Sequence, residues 1–147
     1  MSSDHLIGQN ERAQLGEGLP WAQVLASLKL NSDGLIPAIA QQHDTGEVLM
    51  MAWMNRDALT ETLATRRVCY WSRSRQAFWR KGESSGQVQH LKEARLDCDG
   101  DTLLLLVDQT GPACHTGRKS CFYNAIRDER VEVITEPIVD PDRLYNR

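Results

Sequence analysis

The sequence predicts an α+β fold in which antiparallel β-hairpins form a sheet with one or two helices against it. Three observations predict it. Apolar runs at residues 35–42 and 48–53 flank the turn formers Asp44-Thr45-Gly46. Two further runs, 88–98 and 102–107, meet at Asp99-Gly100, a dipeptide suited to a type I′ hairpin. Amphipathic stretches at helical spacing stand before and between these pairs.

Taken in order, residues 1–18 are polar and contain glycine, and read as a loose leader. Pro20 opens a helical stretch in which Trp21, Val24, Leu25 and Leu28 recur on one face, ending near Asn31 and Gly34. After the first hairpin, Asn55 is placed to cap a second helix, with Met54 and Leu59 as a hydrophobic staple and Leu59 and Leu63 as its apolar seam. Residues 68–72 are aromatic and β-branched, as a strand requires, and Cys69 within them reads as core. Residues 73–86 are basic and glycine-containing and read as a loop. Residues 122–127 fit a strand or a short helix equally. The tail after Glu136 carries two prolines and is expected to be peripheral. No repeat or low-complexity linker divides the chain. Its organisation reads as a leader and helix (1–33), one domain (34–136) and a tail (137–147).

Bulk properties exclude some functions. With 17 Lys and Arg against 20 Asp and Glu, the net charge is −3 over 147 residues, so no global attraction to nucleic acid or anionic membrane exists. No apolar run is long enough to span a bilayer, and the N-terminus lacks the basic and apolar regions of a secretion signal. A cytoplasmic location follows as the expectation. There, cysteines grouped with acidic residues and a histidine suit metal ligation better than disulfides.

Asp97, Asp99 and Asp101 alternate around Cys98. A solvated acidic turn is one reading. An EF-hand fails because its glycine belongs at the sixth loop position and stands here at the fourth. Crowded carboxylates repel one another unless a hard cation such as Mg²⁺ sits among them. Cys98, Cys114 and Cys121 follow a C-x15-C-x6-C spacing. That is not the spacing of a zinc finger, and each cysteine taken alone could be a small buried hydrophobe. The polar segment around Cys114 and Cys121 argues instead for ligands. Three thiolates leave the fourth position of a tetrahedral Zn²⁺ for water, whose pKa falls to about 7. If the strand stays regular through residue 98, side-chain alternation turns Cys98 away from Asp97 and Asp99. Two metal sites are then expected, one hard and one soft. His115, beside Cys114, is the candidate general acid and base.

Trp71-Ser72-Arg73-Ser74-Arg75 and the segment from Trp79 through Lys81, Gly82, Ser84, Ser85 and Gly86 form a dense cluster of Arg, Lys, Ser and Gly. Such donors suit phosphate, and the tryptophans suit a base. A solvated charged loop is the competing reading, and single-stranded RNA is not excluded by this cluster alone.

The stretches GLIPAIAQ, VLMMAWMN, YWSRSR, WRKGESSG, LDCDGD and ACHTGRKSCF, running in this order from Gly34 to Phe122, resemble phosphoribosyl-AMP cyclohydrolase, the ring-opening enzyme of histidine biosynthesis. The resemblance implies a homodimer whose zinc sites are shared between subunits, with Zn²⁺ on Cys98, Cys114 and Cys121 and Mg²⁺ on Asp97, Asp99 and Asp101. It implies hydrolysis of the N1–C6 bond of a purine nucleotide that carries a second phosphoribosyl group on N1. Water activated by zinc would attack C6, as in zinc deaminases. His115 would move protons, and Arg73, Arg75 and Lys81 would hold phosphates. Some relatives are fused to a pyrophosphohydrolase domain; the chain ends too soon after Cys121 for one, so a single activity is expected. Two rivals remain distinguishable. A deaminase would carry H-x-E with P-C-x-x-C, which is missing. A zinc-stabilised RNA-binding module would have a closed metal site and would not place an acidic run beside it.

Overall fold

The structure, a computed structural model, describes residues 6–145; the outermost residues of the predicted leader and tail lie outside it. A four-stranded sheet carries the core. Its strands are β1 (Ile36–Gln42), β2 (Val48–Met54), β5 (Gln89–Leu96) and β6 (Leu103–Gln109), in the order β2-β1-β6-β5. β1 and β2 pair antiparallel with Ala38 opposite Ala52, and β5 and β6 pair antiparallel with Leu96 opposite Leu103. The predicted hairpins therefore form. The sheet is nevertheless mixed, because β1 and β6 run parallel with Ala40 opposite Leu105. This corrects the expectation of antiparallel pairing throughout. Local hairpin signals cannot show how two hairpins join, and a parallel join needs the long crossover that residues 55–88 supply.

Along β1 and β6 every second residue is buried and those between are half-buried, or exposed at Asp108, as period-two strands with one deeply covered face require. Ile36, Ala38, Ala40, Leu103, Leu105 and Val107 thereby join the main core. The helix α1 (Trp21–Ala26) follows Pro20 and sends Val24 into this core. α2 (Arg56–Thr65) starts where expected, the Asn55 side chain accepting from the Ala58 N–H at 2.8 Å. Met54 and Leu59 are both fully buried at its start. Thr62, inside α2, accepts from the Cys69 N–H at 2.9 Å and donates to the Ala58 carbonyl at 2.8 Å. Its hydroxyl ties α2 to β3 (Cys69–Ser72).

Several local expectations change. The leader holds a 3-10 helix, Leu6–Arg12, with Leu6 and Ile7 against the core. Residues 73–86 are not all loop: Ala77–Arg80 form β4, which pairs antiparallel with β3. A Tyr70–Trp79 contact at 5.3 Å and a Trp71–Phe78 edge contact at 5.5 Å stabilise that ribbon. β5 stops at Leu96, so residues 97–102 are a turn and not a two-residue hairpin. Within residues 122–127 the strand reading holds from Asn124: β7 (Asn124–Arg127) pairs with β8 (Arg130–Val133). The tail lies largely exposed on the surface but is anchored there. It forms α3 (Pro141–Tyr145) and buries Leu144. Three α-helices thus stand among the described residues where one or two were expected, and none is long and apolar enough to cross a membrane.

Candidate active site

The loop after β6, residues 110–121, is held from three sides. From below, a buried amide chain reaches it. The Tyr70 hydroxyl donates to Gln89 Oε1 (2.7 Å) and Gln89 Nε2 donates to Gln109 Oε1 (2.8 Å). Gln109 Nε2 is shared among the carbonyls of Gln87, Thr110 and Pro112 at 3.2, 3.0 and 3.4 Å. The Gln109 N–H donates to Gln42 Oε1 at 3.0 Å, tying the chain to β1. From the sheet edge, the Cys121 N–H donates to the Leu49 carbonyl (2.7 Å) and the Ser120 hydroxyl to the Val48 carbonyl (2.7 Å). From outside, the Ile138 N–H donates to the Gly117 carbonyl (2.9 Å), and Arg118 donates to the Thr135 carbonyl (2.8 Å) while lying 4.0 Å from the Tyr123 ring centre. Gly117 has φ +84°, and a Cβ there would stand 2.0 Å from the Val139 carbonyl oxygen. Only glycine fits the strap so closely.

This bracing sets Cys114 and Cys121 together. Cys114 is buried, and Thr116 donates to its Sγ at 3.1 Å. Cys121 is the more exposed of the two, yet its thiol is desolvated. Desolvation first, then the Cys114 sulfur, with which it shares a hydrogen bond, push its pKa up to about 12. The buried Lys81 lies close enough for both thiols to act on its ammonium, although burial is the larger influence and draws its pKa down. His115 is exposed, next to Cys114 in the chain. Cys98 is exposed in the turn after β5 and does not join the pair. Among the described residues only Asp97, Asp99 and Asp101 form a set of three donors whose ligand atoms lie within 4.8 Å of one another.

Those carboxylates converge because residues 97–102 leave the strand. The alternation argument for two sites therefore loses its premise, although the Asp97, Asp99 and Asp101 set includes none of the thiols. The turn closes on itself. Asp97 Oδ1 accepts from the N–H groups of Asp101 (3.0 Å) and Thr102 (3.2 Å), and the Gly100 N–H donates to the Asp97 carbonyl (3.1 Å). For Asp97, desolvation raises the pKa, but hydrogen bonds from Asp101 and from the backbone at Asp101, Thr102 and Gly100 outweigh it and leave the pKa lowered. Asp101 is pushed up by its hydrogen bond to Asp97, by desolvation and by the neighbouring charges. Three carboxylates whose oxygens converge this closely are chemically suited to Mg²⁺. Two adjacent thiols are suited to the softer Zn²⁺.

The basic segment opens onto two clefts. Trp71, Ser72, Arg73 and Ser74 line the larger, of about 590 Å³, together with Met51, Ala52, Trp53 and Trp79. Arg75, Lys81, Gly82, Ser84 and Ser85 line the smaller, of about 270 Å³, with Phe78, Trp79, Arg80 and Glu83. Gly86 lines neither; its N–H donates to the Gly82 carbonyl at 2.8 Å and closes the loop. Gly82 is required by space, since a Cβ would stand 2.4 Å from Val88 N. Trp53, on β2, lay outside the predicted set, and nothing in its local sequence marks it. Gln89 and Gln109 were also missed. Glutamines inside apolar strands are their one visible signal.

A family model described as phosphoribosyl-AMP cyclohydrolase matches residues 50–123. A protein of that name from Halorhodospira halophila is 70% identical over 140 residues, covering 95% of this chain and 99% of its own. One from Hydrogenovibrio crunogenus is 63% identical over all 147 residues and the whole of its own length. Another, from Alkalilimnicola ehrlichii, is 68% identical over 137 residues, 93% of this chain and 96% of its own.

Proposed function

The chain belongs to the phosphoribosyl-AMP cyclohydrolase family, and from that premise we propose that residues 34–136 open the adenine ring of phosphoribosyl-AMP by hydrolysis of its N1–C6 bond, at a zinc site completed by two copies of the chain. This is the ring-opening step of histidine biosynthesis, a cytoplasmic reaction in this reading. The observation that carries it is Lys81. It is buried, it lines the smaller basic cleft, and its ammonium feels both Cys114 and Cys121. A basic cleft thus adjoins the soft donors, which supports the reading.

Cys114 and Cys121 would hold zinc with a third thiolate. Cys98 of the same chain does not join them, which supports a third ligand from the partner copy's equivalent turn. Asp97, Asp99 and Asp101 would hold Mg²⁺. When bound, the zinc would supply Lewis acidity that activates water near neutral pH, and Mg²⁺ would supply neutralising charge. The chain's own residues do the rest. The indoles of the larger cleft take the purine face. Arg73 and Arg75 hold phosphate oxygens, helped by the serines beside them. His115 accepts a proton from the attacking water and returns one to N1 as the bond to C6 breaks. One water is consumed; its oxygen stays on C6 as the new carboxamide, and N1 leaves carrying the proton.

The test is ultraviolet absorbance on ring opening, with and without a chelator. Turnover should vanish on chelation and return with Zn²⁺, with no ammonia released; ammonia release would point to a deaminase instead. A shared site makes a second demand. Cys98→Ala and Cys114→Ala, each inactive alone, should recover about a quarter of wild-type turnover when co-refolded, because half the dimers are mixed and each has one intact site. No recovery would place all three ligands in one chain.

A further inference from the structure

The turn that links β3 to β4 divides its two arginines. Arg73 opens onto the larger cleft, its guanidinium 5.0 Å from the centre of the Trp53 ring. Arg75 opens onto the smaller one, with its N–H and Nε reaching Ser72 Oγ at 3.3 and 3.4 Å. Trp79 is common to both linings, so its indole is the partition. The two sides differ in chemistry. The larger has three indoles and no acid. The smaller has Arg75 and Lys81 for an anion and Glu83 as an acceptor for hydroxyls.

We propose that the two clefts are separate phosphate subsites divided by Trp79. The larger takes the AMP half of the substrate, with the purine against the indoles and the phosphate at Arg73. The smaller takes the N1-linked ribose phosphate at Arg75 and Lys81. The assignment rests on the function proposed above, whose substrate carries a phosphate at each end. Its direction follows from where the bond breaks. N1 bears the second ribose, and C6 beside it must face the thiols. Lys81, the cleft residue near Cys114 and Cys121, belongs to the smaller cleft. Aromatic surface for a base belongs mainly to the larger. Arg80 also lines the smaller cleft, but its guanidinium is engaged by Glu61 at 2.7 and 2.9 Å.

AMP and ribose 5-phosphate separate the subsites, since each carries one half. Both should inhibit turnover of phosphoribosyl-AMP, and double-inhibition plots should show that they bind together. Arg73→Ala should weaken AMP at least tenfold and ribose 5-phosphate less than twofold; Arg75→Ala should do the reverse. Arg73→Lys should restore part of the AMP affinity. Both arginines stand on an exposed turn, and near-ultraviolet circular dichroism checks that the variants keep their packing. Mutually exclusive probes, failure of either probe to inhibit, or equal losses for both probes in both variants would overturn the division. Any of these with normal wild-type turnover leaves the ring-opening reading intact. Absent wild-type turnover sinks that reading instead.

Discussion

The acidic turn and the thiol loop solve the same problem in opposite ways. Both gather groups that repel one another when ionised. The acidic turn does so within six residues, with Asp97 as its hub and its own backbone as donor. The thiol loop borrows its shape from β1, β2, β5 and the tail. A locally closed turn tolerates change elsewhere. A loop shaped by distant partners inherits every fault in them.

Four measurements can break or sharpen this contrast. The largest expected effect comes from Gln109→Leu. It strands the buried amide of Gln89 and frees the carbonyls of Thr110 and Pro112, and should cost about 3 kcal/mol in urea unfolding. Zinc affinity should fall with it while Mg²⁺ affinity holds; equal loss of both would mean the two regions are not independent. Gly117→Ala comes next. The added methyl meets the Val139 carbonyl at a positive φ, so the strap must lift, for about 2 kcal/mol. Protease cleavage within residues 135–145 should accelerate, and an unchanged cleavage rate would deny the strap its role.

Asp99→Asn should act in the other direction. Removing one of three crowded charges should leave metal-free stability unchanged or raised by a few tenths of a kcal/mol, while Mg²⁺ binds about tenfold more weakly. A clear loss of metal-free stability would show that the acidic turn is structural after all. The smallest effect concerns Cys69, which belongs to neither region. Desolvation, then the charge of Glu61, push its thiol up to about 12. The folded state keeps this proton where the unfolded chain, titrating near 8.5, gives it up. Its contribution is complete below about pH 8.5 and is lost as pH rises from there toward about 12. Stability measured from pH 8 to 10 should fall less steeply in Cys69→Ala than in wild type. Identical slopes would place the alkaline sensitivity elsewhere.

The sequence disclosed the two regions unequally. Donor type is carried by residue identity, so the candidate donors could be named directly, and the structure gathers Asp97, Asp99 and Asp101 as a set. Asn55 at its cap and the two hairpins could be read as well, because each depends on neighbours within about five residues. The turn at Asp99-Gly100 is longer than its dipeptide signal suggests, because hydrogen bonds to the Asp97 carboxylate end the strand at Leu96 and draw residues 97–102 into the turn. β4 was hidden by the charge of Arg73, Arg75, Arg80 and Lys81, although Phe78 and Trp79 are strand formers. The docking of the tail depends on Gly117 meeting Val139, 22 positions along the chain. No local pattern encodes such a pairing. The separation of Cys98 from the other two thiols is equally invisible to spacing.

The parallel join of β1 to β6 sets a timetable for synthesis. Gln42 cannot find Val107, nor Leu49 the Cys121 N–H, until almost the whole chain has left the ribosome. Until then β1 presents an unsatisfied edge to solvent, the kind of surface that recruits other strands. Pairing over so many intervening residues is slow. The two thiols can therefore come together only late in maturation.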